Sequence, residues 1–265
     1  MVRELPPERW FAYLSWSAIA AMANRSEVVI IQPLGAIEQH GPHLPLVVDT
    51  AICMEVIARA LVQLAPDIPA YCLPPLCYGK SNEHIDFPGT ITLSAQTLSL
   101  VVTEVAESIY RAGFRKLVLI NGHGGQPQVL EILSRDLRQQ YRDFQVFPLF
   151  LWRVPNLASE LLTKQELVAG IHGGDAETSA MLAILPEYVD MSRAIAEYAP
   201  DLGTSCLALE GDLPYAWLTS DLSRSGVLGD PTLATAAKGE LLLESLAQGW
   251  AKAIADIYGF KLPLI

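Results

Sequence analysis

The sequence predicts an α/β fold in which a mostly parallel sheet is covered by helices on both faces. Segments with strand character alternate with segments of helical periodicity from residue 27 to residue 190, which is the pattern of βαβ units. The strand segments are continuous apolar runs, as expected for strands buried on both faces. The apolar fraction is high, at 51%, with a mean hydropathy of +0.28. Because no linker or repeat interrupts the chain, we expect one domain over residues 1–265.

The first half of the chain supplies strands and helices in alternation. Consecutive β-branched residues predict the first strand, and apolar residues at helical spacing predict the helix after it. In the next helix, Ser94 can cap the start and Gly113 can end it. In chain order, the predicted elements are a helix over 7–24, a strand over 27–35, a helix over 51–65, a short strand in IPAYCLPPLCYG and a helix over 94–113.

The second half continues the pattern and ends on a long helix. Its predicted elements are a strand from 116 that leads into NGHGG, a helix in QPQVLEILSRDLRQQY, a strand over 144–152, a helix over 175–185 and a last helix over 232–258. Residues 196–230 are rich in Gly, Pro, Ser and Asp. We expect this region to be a loop or a small excursion, either at a subunit contact or over the site.

Charge and composition exclude several classes of partner. Lysine and arginine number 18 against 29 acidic residues, which gives a net charge of −11. Nucleic acids and anionic membranes attract basic patches, and we find none. No apolar run reaches the roughly 18 residues of a membrane span, and the N-terminus lacks a signal-peptide pattern. The four cysteines show no CxxC spacing, which favours buried thiols in a reducing compartment. The sequence therefore predicts a cytoplasmic protein without nucleic-acid or membrane partners.

All five histidines lie in four short islands that also contain glycine and acidic residues. These are His40 and His43 in IEQHGPHLPLVVDT, His84 in GKSNEHIDFPGT, His123 in INGHGG and His172 in IHGGDAETSAML. Histidines used only for packing would be scattered along the chain. Their confinement indicates a metal centre or an acid–base site that is assembled from distant segments.

The first island contains three candidate metal ligands. Glu38 and His40 are two residues apart, so an extended backbone would point both to one face at the carboxyl end of a strand, where open sheets bind ligands. Asp49 lies just before the predicted helix over 51–65, and it either caps that helix or bends back as a carboxylate ligand. His43 stands among prolines, where a hydrogen-bonded structural histidine is favoured over a ligand.

The other islands complete a set of ligands. His123 follows a strand on a glycine turn, and a metal ligand fits there better than a phosphate loop because no phosphate-binding fingerprint is present. After His172, the acids Asp175 and Glu177 begin a helix, where they either interact with the helix dipole or join the site. His84 either lines a pocket or satisfies a turn. A pair of metal ions needs about five to seven ligands, and the islands supply Glu38, His40, Asp49, His123 and Glu177, with a histidine left for proton transfer.

With these motifs, the chain resembles the creatininase family of metal-dependent amidohydrolases. The matching segments follow the family's order: GAIEQHGPHLPLVVDT, HIDFPGTITLS, NGHGG, HGGDAETSAML and GVLGDPTLAT. The resemblance implies a single three-layer α/β/α domain, two divalent metal ions per chain and, commonly, a homohexamer. It also implies hydrolysis of a carbon–nitrogen bond, other than a peptide bond, in a small cyclic or linear amide. Zinc is the first metal expected, with manganese and iron as alternatives, because mixed histidine and carboxylate sites accept all three.

The resemblance also implies roles for individual residues. Asp49 resembles the bridging ligand, and His172 resembles the catalytic histidine. Creatininase itself has a further glutamate ligand two residues after the NGH histidine, and that position is Gly125 here. The resemblance implies that members with NGHGG take this carboxylate from the helix that begins in HGGDAETSAML, so Glu177 is the expected replacement, either as a ligand or as the catalytic residue that orients His172. A second departure is Gln126, where the family often has asparagine. The other ligands implied are Glu38, His40 and His123.

The departure at Gly125 puts creatinine itself in doubt as the substrate. It is shared with relatives that deformylate formamides in flavin or deazaflavin synthesis, and with relatives that trim a peptide in mycofactocin maturation. Both activities are alternatives here. A metal-binding scaffold without turnover is a further hypothesis, which is disfavoured because a structural site would be closed and would not need His172. A nucleotide-binding protein is disfavoured because the chain lacks phosphate-binding motifs.

Overall fold

The computed structural model describes residues 4–201, 203–204 and 206–262. At its centre is a four-stranded sheet with the order β2-β1-β3-β4, in which all the pairings between neighbouring strands are parallel. The predicted parallel sheet is therefore confirmed, with strand ends that differ from the prediction by a few residues. The strands are β1 (Val29–Leu34), β2 (Ala70–Cys72), β3 (Lys116–Asn121) and β4 (Gln145–Phe150).

The main helices also lie where the sequence predicts them. Ser94 accepts a hydrogen bond from a backbone N–H in the first turn of the third helix, and Gly113 follows that helix with φ +97°, as expected of the two ends. Among the described helices, none is long and apolar enough to cross a membrane. The helices are α1 (Trp16–Ala21), α2 (Val48–Gln63), α3 (Ala95–Arg111), α4 (Pro127–Gln140), α5 (Ala158–Leu161), α6 (Lys164–Ala169), α7 (Asp175–Ile184), α8 (Thr219–Leu222) and α9 (Ala236–Gly259).

The predicted helix over 7–24 is wrong. The backbone is extended at Trp10, which pairs with the edge strand β2, and it is extended again at Ser15, whose hydroxyl caps α1. A continuous helix would lose both interactions, and no buried apolar face favours one, since these short helices bury none of their residues. In place of one helix, the segment contains α1 and two single 3₁₀ turns, Pro7–Arg9 and Phe11–Tyr13.

Side chains of the central strands alternate between two apolar clusters. In β1, Val29 and Ile31 pack in a cluster with α2, α7 and α9, whereas Ile30 and Leu34 pack in a cluster with α3 and α4. Each face of the sheet is therefore covered by its own helices, which keeps both rows of strand side chains from water. This arrangement confirms the predicted α/β fold with three layers, formed by helices, sheet and helices.

The helices α7 and α9 come into close contact at Gly239. A methyl group at this position would lie 1.8 Å from the carbonyl oxygen of Ser179, in α7. Ser179 is two residues after Glu177, so the contact helps to set the position of a candidate site residue. Only glycine allows the two backbones to approach this closely.

Replacing Gly239 with alanine is expected to lower the free energy of unfolding by about 1–3 kcal/mol, because the added methyl group must push α7 and α9 apart. The matched control is Gly259→Ala at the end of α9, where a methyl group meets nothing within 4 Å. Thermal or denaturant unfolding compares the two variants. Equal stability of both variants would contradict the close contact.

Candidate metal centre

The candidate site lies at the carboxyl ends of β1 and β3. These strands are neighbours and remain paired up to Leu34 and Asn121, so the segments that follow them emerge at the same edge of the sheet. The chain after β1, the chain after β3 and the first turns of α2 and α7 meet here. They bring together the five residues that the sequence predicts as metal ligands: Glu38, His40, Asp49, His123 and Glu177.

Glycines allow the segments to approach one another. A methyl group at Gly122, at the end of β3, would lie 2.8 Å from the carbonyl oxygen of Asp49. Gly173 has φ +61°, and a methyl carbon at this position would lie 3.1 Å from the carbonyl oxygen of His40. Both positions lie between site residues from different elements, so a larger residue at either would separate them.

Asp49 lies within α2, as its second residue, and not before the helix as predicted. The residue before the helix is Val47, and no side chain caps this end, so the alternative role of Asp49 as a cap is wrong. Its carboxylate instead faces two histidines. Oδ1 lies 3.5 Å from Nε2 of His40, and Oδ2 lies 3.5 Å from Nδ1 of His123.

The possible ligand atoms form two groups that share Asp49. In the first, Nδ1 of His123 lies 3.1 Å from Oε2 of Glu38 and 3.5 Å from Oδ2 of Asp49. In the second, Nε2 of His40 lies 3.5 Å from Oδ1 of Asp49 and 3.9 Å from Oε1 of Glu177. Ligands held about 2.0–2.2 Å from zinc in a tetrahedral arrangement stand roughly 3.4 Å apart. The distances from each histidine to its two carboxylates therefore suit a divalent ion, and in the second group all three ligand atoms lie within 4.8 Å of one another.

In His40 and His123, the ring nitrogen that points away from the carboxylates is hydrogen bonded to the backbone. This bond leaves the other ring nitrogen as an acceptor that faces the carboxylates. Nδ1–H of His40 donates to the carbonyl oxygen of Glu38 at 3.2 Å, and Nε2–H of His123 donates to the carbonyl oxygen of Lys80 at 2.8 Å. Within the described residues, Nε2 of His40, Oε2 of Glu38 and Oδ2 of Asp49 are buried and lack hydrogen-bond partners. Lone pairs that face one another in this way repel unless a cation lies between them. The residues present therefore fit a pair of metal ions.

The pKa values reflect the same crowding of charge. Burial lowers the pKa of His40, but the carboxylates of Asp49 and Glu177 outweigh it and raise the pKa to about 9. Burial raises the pKa of Asp49 to about 7, and the charge of Glu38 adds to the effect. For Glu38, burial is outweighed by the neighbouring imidazoles, that of His123 foremost, which hold its pKa well below the usual range. Protons on these groups thus offset part of the carboxylate charge, and a bound cation would offset it in the same way.

His172 lies between two other imidazoles. Its ring centroid is 4.2 Å from that of His40 and 4.1 Å from that of His84. Its Nε2–H donates to the carbonyl oxygen of Gln39 at 2.6 Å, which leaves Nδ1 as an acceptor 4.0 Å from Oε1 of Glu38. Burial and the two neighbouring histidines hold the pKa of His172 well below its usual range. The side chain is therefore neutral, with Nδ1 unprotonated and directed towards Glu38.

Gln39 is a site residue that the sequence does not single out. Its amide group donates to the carbonyl oxygen of Gly226 at 3.0 Å and to Nδ1 of His84 at 2.8 Å, so Nε2–H of His84 faces Oε1 of Glu38 at 3.6 Å. The structure thus places His84 in the site. Alternation along an extended backbone would have pointed Gln39 away from it, but β1 ends at Leu34, close to its predicted end at 35, so Gln39 lies beyond the strand.

The first turn of α7 contacts two further residues of the islands. Oε2 of Glu177 accepts the backbone N–H of Gly173 at 2.7 Å, so that Oε1 is left to face His40. His43 is buried, and its Nε2 is hydrogen bonded to Oγ1 of Thr178 at 2.9 Å, as expected for a structural histidine.

Two locations are predicted for the region 196–230, at a subunit contact or over the site. Parts of the region contact the site, which agrees with the second location. Oγ1 of Thr219 lies within hydrogen-bonding distance of Nδ1 of His84, at 2.8 Å, and the backbone of Leu228 pairs with that of His172. Glu83, from the second island, is another neighbour that the sequence does not indicate, with Oε1 lying 3.2 Å from Nε2 of His123.

Comparison with known proteins identifies the family of the chain. The family described as creatinine amidohydrolase, or creatininase, matches residues 12–254. The chain is 34% identical over 235 residues to the mycofactocin precursor peptide peptidase of Mycolicibacterium smegmatis, with 85% of this chain and 84% of that protein covered. It is 33% identical over 264 residues to the creatinine amidohydrolase of Pseudomonas putida, with 92% and 95% covered.

A solved structure shows the same fold. A mutant creatininase of the Zn–Zn type superimposes with a TM-score of 0.74 at 29% identity, covering 94% of this chain and 98% of that one. The family match spans most of the sequence, and both relatives are enzymes that cleave carbon–nitrogen bonds. The chain therefore belongs to the creatininase family and is a hydrolase that acts on carbon–nitrogen bonds.

Proposed function

We propose that this protein is a metal-dependent amidohydrolase with two divalent ions per chain. The observation that supports it most is the position of Asp49, whose two carboxylate oxygens face two histidines from the segments that follow two neighbouring strands. One ion would be held by Glu38, Asp49 and His123, and the other by His40, Asp49 and Glu177. Zinc is the first choice, since a related solved structure is of the Zn–Zn type, and manganese and iron are alternatives.

The chain's own residues supply the geometry for hydrolysis. A bound pair of divalent ions lowers the pKa of a water molecule and polarises a carbonyl group. His40 and His123 are held in orientation by their hydrogen bonds to backbone carbonyl oxygens, so little rearrangement is needed as ions bind. Glu177 is held by the backbone N–H of Gly173 and keeps its second oxygen for the site.

His172 is the residue we propose for proton transfer. In amide hydrolysis the oxygen of water joins the carbonyl carbon, the carbon–nitrogen bond breaks, and a proton from water must reach the departing nitrogen. Nδ1 of His172 is unprotonated and faces the cluster, while Nε2–H is occupied by the carbonyl oxygen of Gln39. Nδ1 can therefore accept the proton from water and donate it to the leaving group, which would otherwise depart as an unstable anion.

The substrate is proposed as a small amide, with peptide trimming as the second candidate. Relatedness to the mycofactocin precursor peptide peptidase favours the peptide, and Gly125 weighs against creatinine. Formamide deformylation is the remaining alternative. A panel of creatinine, formamides and short peptides, assayed with metal-loaded protein, separates these activities. Silence across the panel with two ions bound would favour a scaffold without turnover. The homohexamer and the cytoplasmic location stay predictions.

Metal content is the first test. We expect about two divalent ions per chain after purification without a chelator, because the two ligand groups joined by Asp49 would each hold one ion. Inductively coupled plasma mass spectrometry measures the ions and identifies them. Protein that takes up no metal, even after incubation with zinc and manganese, would contradict the proposal.

A further inference from the structure

Gly125 leaves no room for a side chain beside His123. A methyl carbon at this position would lie 1.7 Å from Oε1 of Glu83 and 2.6 Å from Nε2 of His123. The space into which a side chain at position 125 would extend is therefore already filled by the carboxylate of Glu83. A side chain at position 125 and the carboxylate of Glu83 cannot occupy this space together, although the two residues are far apart in the sequence.

The segment that carries Glu83 is fastened to the segment that carries His123. Oε1 of Gln126 accepts the backbone N–H of Lys80 at 3.0 Å, and the carbonyl oxygen of Lys80 accepts Nε2–H of His123 at 2.8 Å. Oγ of Ser81 lies 3.3 Å from the same nitrogen. Glu83 then follows in the 3₁₀ turn Asn82–His84. Its position therefore results from a network that joins two of the islands.

The carboxylate of Glu83 lies against the ring of His123 without a conventional partner. Oε1 is buried and, among the described residues, has no hydrogen-bond partner, although it lies 3.2 Å from Nε2 of His123. Oε2 lies 3.8 Å from Nζ of Lys80. A buried carboxylate oxygen without a hydrogen bond is unfavourable unless nearby positive charge compensates it. The imidazole of His123 supplies that charge when its other nitrogen binds a cation.

We propose that Glu83 is a positioning residue for His123, which occupies the space left by Gly125 and holds the imidazole with Nδ1 towards Glu38 and Asp49. The inference rests on the proposed function, because it takes His123 as a metal ligand. A carboxylate behind a metal-bound imidazole helps to hold the ring and increases its basicity. Here Glu83 would act together with the carbonyl oxygen of Lys80, which accepts Nε2–H. Glu83 thus supports an ion without binding it.

Zinc affinity tests this role independently of turnover. Metal-free wild type, Glu83→Gln and Glu83→Ala are titrated with zinc in competition with a chelator. The matched control is Glu104→Gln, an exposed acid on α3. We expect Glu83→Ala to bind zinc about 10- to 100-fold more weakly, Glu83→Gln to lose less because its amide oxygen can take the same position, and the control to match wild type. Thermal unfolding of the metal-free proteins separates this loss from a loss of folding.

The outcomes distinguish this inference from the proposed function. Unchanged affinity in Glu83→Ala would overturn the positioning role while leaving the metal centre intact. Loss of one ion at saturating zinc would make Glu83 a ligand, which also overturns it. Wild type that takes up neither zinc nor manganese would overturn the proposed function and the inference with it.

A second substitution tests the shared space. Gly125→Ala should weaken zinc binding in the natural chain, because the methyl group displaces the carboxylate of Glu83 and presses on His123. In the Glu83→Ala background the same change should have a smaller effect. Equal effects in the two backgrounds would contradict the competition for space between positions 83 and 125.

Discussion

Replacing Asp49 with asparagine is expected to remove both metal ions and to lower turnover by at least ~10²-fold, since a ligand contributes more than the outer residues, whose loss costs up to about 100-fold. Each oxygen of Asp49 faces a different histidine, so this residue is the element that the two ligand groups share. Asparagine has nearly the same shape but lacks the negative charge and offers only one oxygen. Metal content and amide hydrolysis are measured on the same preparation.

The control for this variant is Asp256→Asn, an exposed aspartate on α9 that loses the same charge. It should keep its ions and its turnover. Loss of a single ion from Asp49→Asn, with the other bound as tightly as in wild type, would show that Asp49 belongs to one ligand group only and would contradict its bridging role.

Replacing His172 with alanine is expected to lower turnover by about 10²–10⁴-fold, the usual contribution of a positioned acid–base group. The ions should remain bound, because neither ligand group that includes Asp49 contains His172. The measurement pairs turnover with metal content. Imidazole added to the solution should restore part of the activity, since a diffusible base can enter the space of the missing ring.

His43→Gln is the matched control for this histidine. His43 is buried beside Thr178 and takes no part in either ligand group, so the variant should keep most of its turnover. His172 also lies close enough to Glu38 and His40 to share an ion with them. Loss of metal from His172→Ala would therefore mean that His172 is a ligand, and unchanged turnover would refute its role in proton transfer.

Much of the fold could be predicted because its signals are local. Each central strand is a continuous apolar run, and its neighbouring helices have clear periodicity and ends, as Ser94 and Gly113 show for α3. The meeting of the histidine islands also followed from the sequence, because parallel strands place their carboxyl ends at one edge. Neither prediction needed knowledge of side-chain contacts.

What the sequence did not predict depends on contacts between distant segments. The prediction of an N-terminal helix is wrong because Trp10 pairs with β2, and composition does not reveal this pairing. Asp49 looked like a possible cap because the start of α2 was placed at 51 rather than at Val48. Gln39 and Glu83 carry no motif of their own. They join the site only through hydrogen bonds and close approaches to residues forty or more positions away.

The site is assembled from two kinds of structure: one carries the candidate metal ligands, and the other contacts the site from an outer segment. The candidate ligands lie in segments that follow strands and in the first turns of helices, next to the packed core. The contacts from Thr219 and Gly226 come from a region with little regular structure, and its described residues 203–213 are mostly exposed. A change in that outer segment can alter which molecules fit without moving Asp49 or His123. Such a division lets selection, natural or in the laboratory, explore new substrates while the hydrolytic chemistry is retained.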